Sequence, residues 1–519
     1  MPEHSRARTS GATEGFTSGL TRRSLLRDAG IGAFSLSAAL HPGLAAAFSR
    51  PNSARLSSTP DPAAEQQHFF SRPDLTPQLI TIDQAAPAEK TGLSAPEGLI
   101  FLAPYSGPPQ WGAMIIDGSG QLVWFRAAGT PPLKVANFGV QEYHGQQVLT
   151  WWEGTETTLG YGLGDYLIFD SSYRQIARVK AANGLQGDHH AFHLTPQGTA
   201  LFTIYRETHA DLRAVGGPKH GGLVESVIQE IDVKTGKLLF QWNSLDHVPI
   251  TESYRSYYPP YWDYMHANSI DLDSDGNLLV SARNMHAIYK LDRKTGEIIW
   301  RLGGKRSDFE VTTGTRFAWQ HDFKHIGNSR YTVFNNASNG VTKTASQSSG
   351  LMLEVDEKRK LVTLLHAYRH APPLLCTTQG SVQVLPNGEV FVGWGSEPHF
   401  TQYTVHGQSI FDGSLPLQGD SYRAYRNPWS GTPTEPPAIG VQPSSNGAVT
   451  VYASWNGATA LANWTVLAGA SPSSLKPVAS APRSGFETAI PVPASAPYYA
   501  LQANDATGKP LGYSKPLKT

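Results

Sequence analysis

Cysteine is almost missing from this chain: Cys376 stands alone among 519 residues. A single thiol excludes an internal disulfide and a thiolate metal cluster, so stability must come from packing. Net charge is missing too, with 42 Lys and Arg against 42 Asp and Glu. Nothing in the bulk composition therefore attracts nucleic acid or an anionic membrane, and partners must be sought at local sites. Beyond residue 47 there is no run of about 18 apolar residues, which excludes an integral membrane helix. Helix-period stretches with caps are scarce as well. What the chain has in plenty is turn formers and large aromatics, with 50 Gly, 37 Pro and 12 Trp. These imply a large, turn-rich β protein.

The stretch "LTRRSLLRDAGIGAFSLSAALHPGLAAA" pairs Arg22 with Arg23, continues in a mildly apolar run and ends at Ala45, Ala46 and Ala47. That order is the pattern of a twin-arginine signal with a small-residue cleavage site. Residues 1–47 are expected to be a removable signal, and the mature protein periplasmic or extracellular. Residues 48–94 are rich in Pro and Ser and read as a linker with an entry strand.

The body of the chain repeats. "QEIDVKTGKLLFQW" (229–242) and "YKLDRKTGEIIWRL" (289–302) share one frame, apolar-x-Asp-x-x-Thr-Gly-x-apolar-apolar, and weaker copies start at residues 113, 166, 351 and 402. Each copy is a hairpin, and several follow another hairpin such as "NSIDLDSDGNLLVSAR". Two hairpins make a four-stranded unit, and six units fit between about residues 98 and 420. The fold class expected is all-β, a six-bladed β-propeller over 95–425. After the Pro-rich "YRAYRNPWSGTPTEPPA", read as a hinge, charge thins out and short strands continue. Residues 435–519 are expected to form a small immunoglobulin- or fibronectin-like β-sandwich.

In a propeller the first strand of each blade lines the axis. His190 in "DHHAFHLTPQG", His266 in "MHANSIDLDSDG" and His321 in "WQHDFKHIGN" each stand just before or at the start of such a strand, so repeat geometry brings them to one channel mouth. Arg283, closing "LLVSARN" on the strand paired to that of His266, reaches the same mouth. Three imidazoles and a guanidinium suit a tetrahedral oxyanion, and an imidazole can serve as nucleophile or general acid. Strand alternation sends His189 and His190 to opposite faces, and no metal or other cofactor is expected. His193, His286, His325, His399 and His406 read as ordinary polar residues.

Taken in order, "WWEGTETTLGYGLGDYLIFDSSY", "DHHAFHLTPQGTALFTIY", "HANSIDLDSDGNLLVSARNMHAIYKLDRKTGEIIWRLGG", "FAWQHDFKHIG" with "FNNAS", and "TQGSVQVLPNGEVFVGWGSEPHFTQYT" resemble the arylsulfate sulfotransferase family, in its branch found in actinobacteria and fungi. The resemblance implies a six-bladed propeller that moves a sulfuryl group from a phenolic sulfate donor to a phenol acceptor without a nucleotide donor. It makes His321 the transiently sulfated nucleophile and gives His266 and Arg283 the sulfate oxygens, with His266 protonating the leaving phenolate. His190 is the fourth catalytic position, and Asn268, His189, Tyr261 and Trp394 are expected to line the substrate, alongside Tyr257, Tyr258 and Trp262. Two positions depart from the family pattern: Ala191 stands where an acidic residue is common, and "FNN" (334–336) stands for "FDN". A disulfide seen in some relatives cannot form here.

Two other classes compete. An exported quinoprotein-type dehydrogenase shares the "DRKTGEIIW" frame but needs about eight blades and a calcium-binding acidic cluster. A non-catalytic binding propeller would need neither His321 nor Arg283.

Overall fold

A computed structural model describes residues 65–84, 98–107, 110–129, 133–312, 314–444 and 447–519. The twin-arginine stretch, and most of the segment read as a linker, lie outside the described residues. Among those described, strands and a few 3-10 turns make an all-β protein of eight sheets. No helix among them is long and apolar enough to cross a membrane.

Six of the sheets have a four-stranded antiparallel path built mostly from consecutive strands. The first combines Leu99–Leu102, Gly112–Ile116 and Leu122–Ala127 with Tyr425–Asn427 from the far end of the repeat region. The second runs from Lys134–Tyr143 to Gln175–Val179, the third from Phe192–Leu194 to Leu238–Asn243, and the fourth from Ala267–Leu272 to Ile298–Gly303. The fifth runs from His321–His325 to Leu361–Tyr368 and the sixth from Ser381–Val384 to Ser409–Ser414. Thr81–Gln84 adds a strand to the outer edge of the sixth sheet.

The shared sequence frame has a local cause. In "DRKTGE" the Asp292 carboxylate accepts from the backbone N–H of Lys294 and Thr295 at 2.9 and 2.8 Å, and Gly296 takes φ +79° to close the turn. Asp232 and Gly236 repeat this one sheet earlier. An Asx turn followed by a left-handed residue is why Asp and Gly recur at that spacing.

Both faces of these sheets are apolar, and the core lies between them. One buried cluster joins each neighbouring pair of sheets, and a further one, with Phe391, Phe400 and Phe411 against Ile100, Met114 and Leu122, joins the sixth sheet to the first. The first-position strands also touch in a circuit, each lying against the next. Burying one large apolar side chain contributes about 2 kcal/mol, so the fold is held by the interfaces between sheets and needs no crosslink.

The stretch read as a hinge is structural instead. Tyr425–Asn427 pairs with Leu99–Leu102 and completes the first sheet. Just before it, Arg423 is buried in an ion pair with Asp322 and donates to the carbonyls of His190 and Asn268 at 2.9 and 3.0 Å. One guanidinium thus ties the strands of Asp322 and Asn268, and the segment leading into Phe192–Leu194, to the segment leading into Tyr425–Asn427. Arg423→Met takes from Asp322, at 0% exposure, its closest cation and leaves it the longer contact to Lys324 Nζ at 3.4 Å, so the loss is about 3 kcal/mol, the low end of what breaking a buried pair costs. An unfolding free energy lower by that amount, read from the fall in urea midpoint at unchanged slope, is the expected result; a loss below about 1 kcal/mol would show the ion pair to be dispensable.

Beyond residue 437 a three-stranded sheet (Ala438–Pro443, Val449–Ser454, Glu487–Val492) and a five-stranded sheet around Asn463–Gly469 and Tyr498–Asn504 share one core of Val451, Trp464, Val466, Ile490, Tyr499 and Leu501.

Candidate active site

His190, His266 and His321 arise in equivalent places, immediately ahead of or opening the first strands of the third, fourth and fifth sheets. That common position brings their rings together. His190 and His266 meet at 3.1 Å between their Nε2 atoms, and Tyr422 lies edge-on to His189, His190 and His321 with centroids at 5.3, 5.5 and 6.3 Å. Tyr205 packs against both His190 and His266, with centroids at 5.4 and 5.3 Å. All three histidines and Arg283 are at most 8% exposed, so charges here act in a low dielectric.

The tautomer of His321 follows from its neighbours. Asn336 Nδ2 donates to the carbonyls of Cys376 and Gln379, which turns its Oδ1 toward His321 Nδ1 at 2.7 Å. Nδ1 therefore carries the hydrogen and Nε2 the lone pair, which accepts from the Gln379 N–H at 3.2 Å. Burial, then the charge of Arg283, holds His321 well below the usual imidazole range, so the lone pair is free of a proton at neutral pH. The Gln379 loop can approach because Gly380, at φ +107°, has no Cβ; one would sit 2.3 Å from the Phe334 ring.

The other two imidazoles are arranged differently. His190 Nδ1 is 2.7 Å from Asp188 and His266 Nδ1 is 2.5 Å from Asp263, and both carboxyls are held below their ordinary range against the opposing effect of burial, chiefly by their histidines. Each Nδ1 must therefore donate. The Nε2 to Nε2 contact is a hydrogen bond when one hydrogen lies between the two lone pairs, and burial, which pushes both imidazoles down, makes that hydrogen easily given up. A single shared proton poised at the site is what a general acid requires.

Arg283 supplies fixed charge. It donates to Thr377 O at 2.9 Å and Asn284 Oδ1 at 3.2 Å, lies over Trp319 at 5.3 Å, and leaves Nε buried without an acceptor. No carboxylate pairs with it among the described residues, and burial, then Arg255, lowers its pKa to about 10. A buried guanidinium with an empty donor is made for an anion. From solvent, Tyr254 stacks on His286 at 4.2 Å, and His286 meets Trp319 edge-on at 4.3 Å. These rings lead from the surface to Arg283.

Several expectations change. His189 and His190 do not diverge: residues 188–190 bend ahead of the strand Phe192–Leu194, strand alternation does not apply, and the two rings stack at 4.1 Å. Trp394 is fully buried, donating to Thr401 and packing against Phe334, and Trp262 is core as well. Tyr261 stands further out, near His209 and the Tyr161 and Tyr205 rings. Asn268 reaches Gln320 O through Nδ2 and leaves Oδ1 buried and unpaired beside the cluster. Ala191 offers no carboxylate, and the one against His190 comes from Asp188. The other departure falls on Asn335, which caps Ala318 N, and spares Asn336. Asp188, Asp263, Asn336, Trp319 and Tyr422 were not legible as site residues.

Asp188, His189 and His190 also present three ligand atoms close together. The Asp188 carboxylate, however, already accepts from Gly162 N, His190 N, His190 Nδ1 and Thr203 Oγ1. It serves to organise the imidazoles.

The family model described as arylsulfotransferase (ASST) matches residues 139–415. The chain belongs to the arylsulfotransferase family. The match spans every histidine of the cluster, Arg283 and Asn336, and stops short of Tyr422 and Arg423. No curated protein matches the sequence. Among solved structures, one similar chain is a protein of unknown function from Bacteroides caccae, 10% identical with a TM-score of 0.39, covering 63% of this chain and 98% of that one. Another is a streptogramin B lyase, 11% identical with a TM-score of 0.33, covering 72% and 94%.

Within this arylsulfotransferase the Asn336 contact is testable. Asn336→Ala leaves the buried His321 N–H without an acceptor, a cost of about 1–3 kcal/mol that frees the ring to turn. A fall in kcat of about one to two orders of magnitude is expected. Asn336→Asp should regain part of it while moving the acid limb of the pH profile upward, because a carboxylate raises the imidazole pKa and the free base then persists only at higher pH. An unmoved profile would argue against the orienting role.

Proposed function

We propose that this arylsulfotransferase is a six-bladed β-propeller with an immunoglobulin- or fibronectin-like sandwich, of the branch found in actinobacteria and fungi, and that it works through a sulfohistidine at His321. The circuit of first-position strands and inter-sheet clusters supports the blade count, and six sheets fit poorly with the eight of a quinoprotein. Export by the twin-arginine route belongs to the same proposal and rests on Arg22 and Arg23.

The geometry that supports the mechanism is the Nε2 of His321, turned away from Asn336 and bonded only to the Gln379 N–H, beside an Arg283 with no carboxylate partner and the Nε2 contact of His190 with His266. A phenolic sulfate enters with its sulfuryl oxygens toward Arg283. His321 Nε2, released from the Gln379 N–H, attacks sulfur, an N–S bond forms and the S–O bond to the aryl group breaks. The leaving phenolate takes the shared proton. An acceptor phenol returns that proton to the pair as its oxygen attacks sulfur, and His321 leaves with its lone pair restored. His266 and His190 are thus acid then base, and Arg283 stabilises the charge on the transferring group. The test is a rapid quench with an aryl sulfate and no acceptor: the peptide holding His321 should gain one sulfuryl. A sulfuryl on another peptide, or phenolate release with none trapped on a base-stable quench, would overturn the assignment.

A further inference from the structure

A second cluster lies at the outer part of the sixth sheet. His399 opens the strand His399–Tyr403, Asp412 lies on the neighbouring Ser409–Ser414, and His370 follows Leu361–Tyr368, the outer strand of the fifth sheet. Asp412 Oδ2 is 3.3 Å from His370 Nε2 and 3.5 Å from His399 Nδ1, and the three atoms lie within 4.8 Å of one another. A tetrahedral ion with bonds of about 2.0–2.1 Å holds its ligand atoms about 3.4 Å apart.

The surrounding bonds prepare each atom as a ligand. His370 Nδ1 donates to Pro372 O at 2.7 Å, which leaves Nε2 with the lone pair in the neutral ring. Trp394 Nε1 donates to Thr401 Oγ1 at 2.9 Å, so the Thr401 hydroxyl must give its own hydrogen to Asp412 Oδ1 at 2.5 Å. That bond occupies one carboxylate oxygen and turns the other to the histidines. His399 Nδ1 is buried, and its nearest acceptor, Asp412 Oδ2, lies 3.5 Å away, too far for a good hydrogen bond. A histidine whose second nitrogen binds a carbonyl and a carboxylate steadied by a hydroxyl are the usual supports of a metal-ligand set.

A proton alone explains less. An imidazolium at His370 would satisfy its contact with Asp412 but leave His399 Nδ1 only a 3.5 Å contact with the oxygen already taken by His370. Two imidazoles and one carboxylate suit a borderline cation better than calcium or magnesium, which take oxygen sets. We propose that His370, His399 and Asp412 bind one Zn²⁺, with a fourth position open toward the solvent-facing side of His399. The ion would join the end of the fifth sheet to the outer strands of the sixth, away from the chemistry of His321.

The test uses the whole protein, stripped by chelator, given ZnCl₂ and passed through gel filtration before metal analysis. One retained equivalent is expected, together with a rise in melting temperature, and Co²⁺ in its place should give the visible absorption of a tetrahedral site. Both retention and the thermal shift should vanish in His399→Gln and in Asp412→Asn, with folding checked by circular dichroism. They should survive in His189→Gln, which removes the other cluster's ligand. Should either ligand variant fail to fold, the cobalt spectrum of the unaltered chain decides instead. No retained zinc, an octahedral cobalt spectrum, or retention unchanged in folded Asp412→Asn would each overturn the site.

Discussion

His321→Ala should abolish release of phenol from an aryl sulfate as well as transfer to an acceptor. Both half-reactions use the same nitrogen, so neither can outlast it. Loss of the nucleophile in a covalent mechanism costs about 10⁴-fold or more in kcat, because the remaining groups act only through it. Structure supplies the reason that no neighbour substitutes. His190 and His266 have their Nδ1 atoms committed to Asp188 and Asp263, and their Nε2 atoms face each other. His189 leaves Nδ1 unbonded but is stacked on His190 and held against Trp152. The strand of His321 pairs to Phe334 through the backbone, so the variant should keep its circular dichroism spectrum. Near-normal transfer by a folded His321→Ala would remove the covalent mechanism and put the binding-propeller reading ahead.

How far the residues alone could go depends on what each feature rests upon. The Asp-x-x-Thr-Gly frame is local, so a hairpin there needs nothing else, and repetition of the frame carried the all-β class and the approximate unit length. The convergence of His190, His266, His321 and Arg283 was legible for the same reason: equal placement in a repeat implies nearness without knowledge of any contact. What failed to show was whatever depends on two distant segments. Tyr425–Asn427 finds its partner more than three hundred residues earlier, in Leu99–Leu102, and a proline-rich stretch with two arginines and two tyrosines looks like a hinge until that pairing is known. Tyr422 and Arg423 were lost with it. Asn336 was visible only as part of a departure from a pattern, since an amide gains its role from the two carbonyls that orient it. Aromatic character misled in another way. Trp394 and Trp262 sit in motif-rich segments, but an indole on a strand or just past its end, between two sheets, is core by default, whereas Trp319, at φ +56°, is held out of strand geometry and presents its face to Arg283.

Arg283→Met should separate stability from activity. In the free protein Arg283 is 4% exposed, meets two neutral acceptors and keeps one buried donor empty. Burying such a cation without a counter-charge costs stability, so an apolar side chain of similar length should leave the urea midpoint unchanged or raise it. Activity should move the opposite way. As sulfur passes between oxygen and nitrogen, charge spreads over its three free oxygens, and a charged donor aimed at developing oxyanion charge is worth about 3–4 kcal/mol, or about two to three orders of magnitude in kcat. Arg283→Lys should recover little, since an ammonium has no planar fork to meet two oxygens at once. Inorganic sulfate gives a second readout independent of turnover: it should raise the melting temperature of the unaltered chain in a concentration-dependent way, through binding to the folded state alone, and should not do so for Arg283→Met. A variant that loses stability in step with activity would mean that Arg283 holds the fold through Thr377 and Asn284, and that the sulfuryl group is held elsewhere.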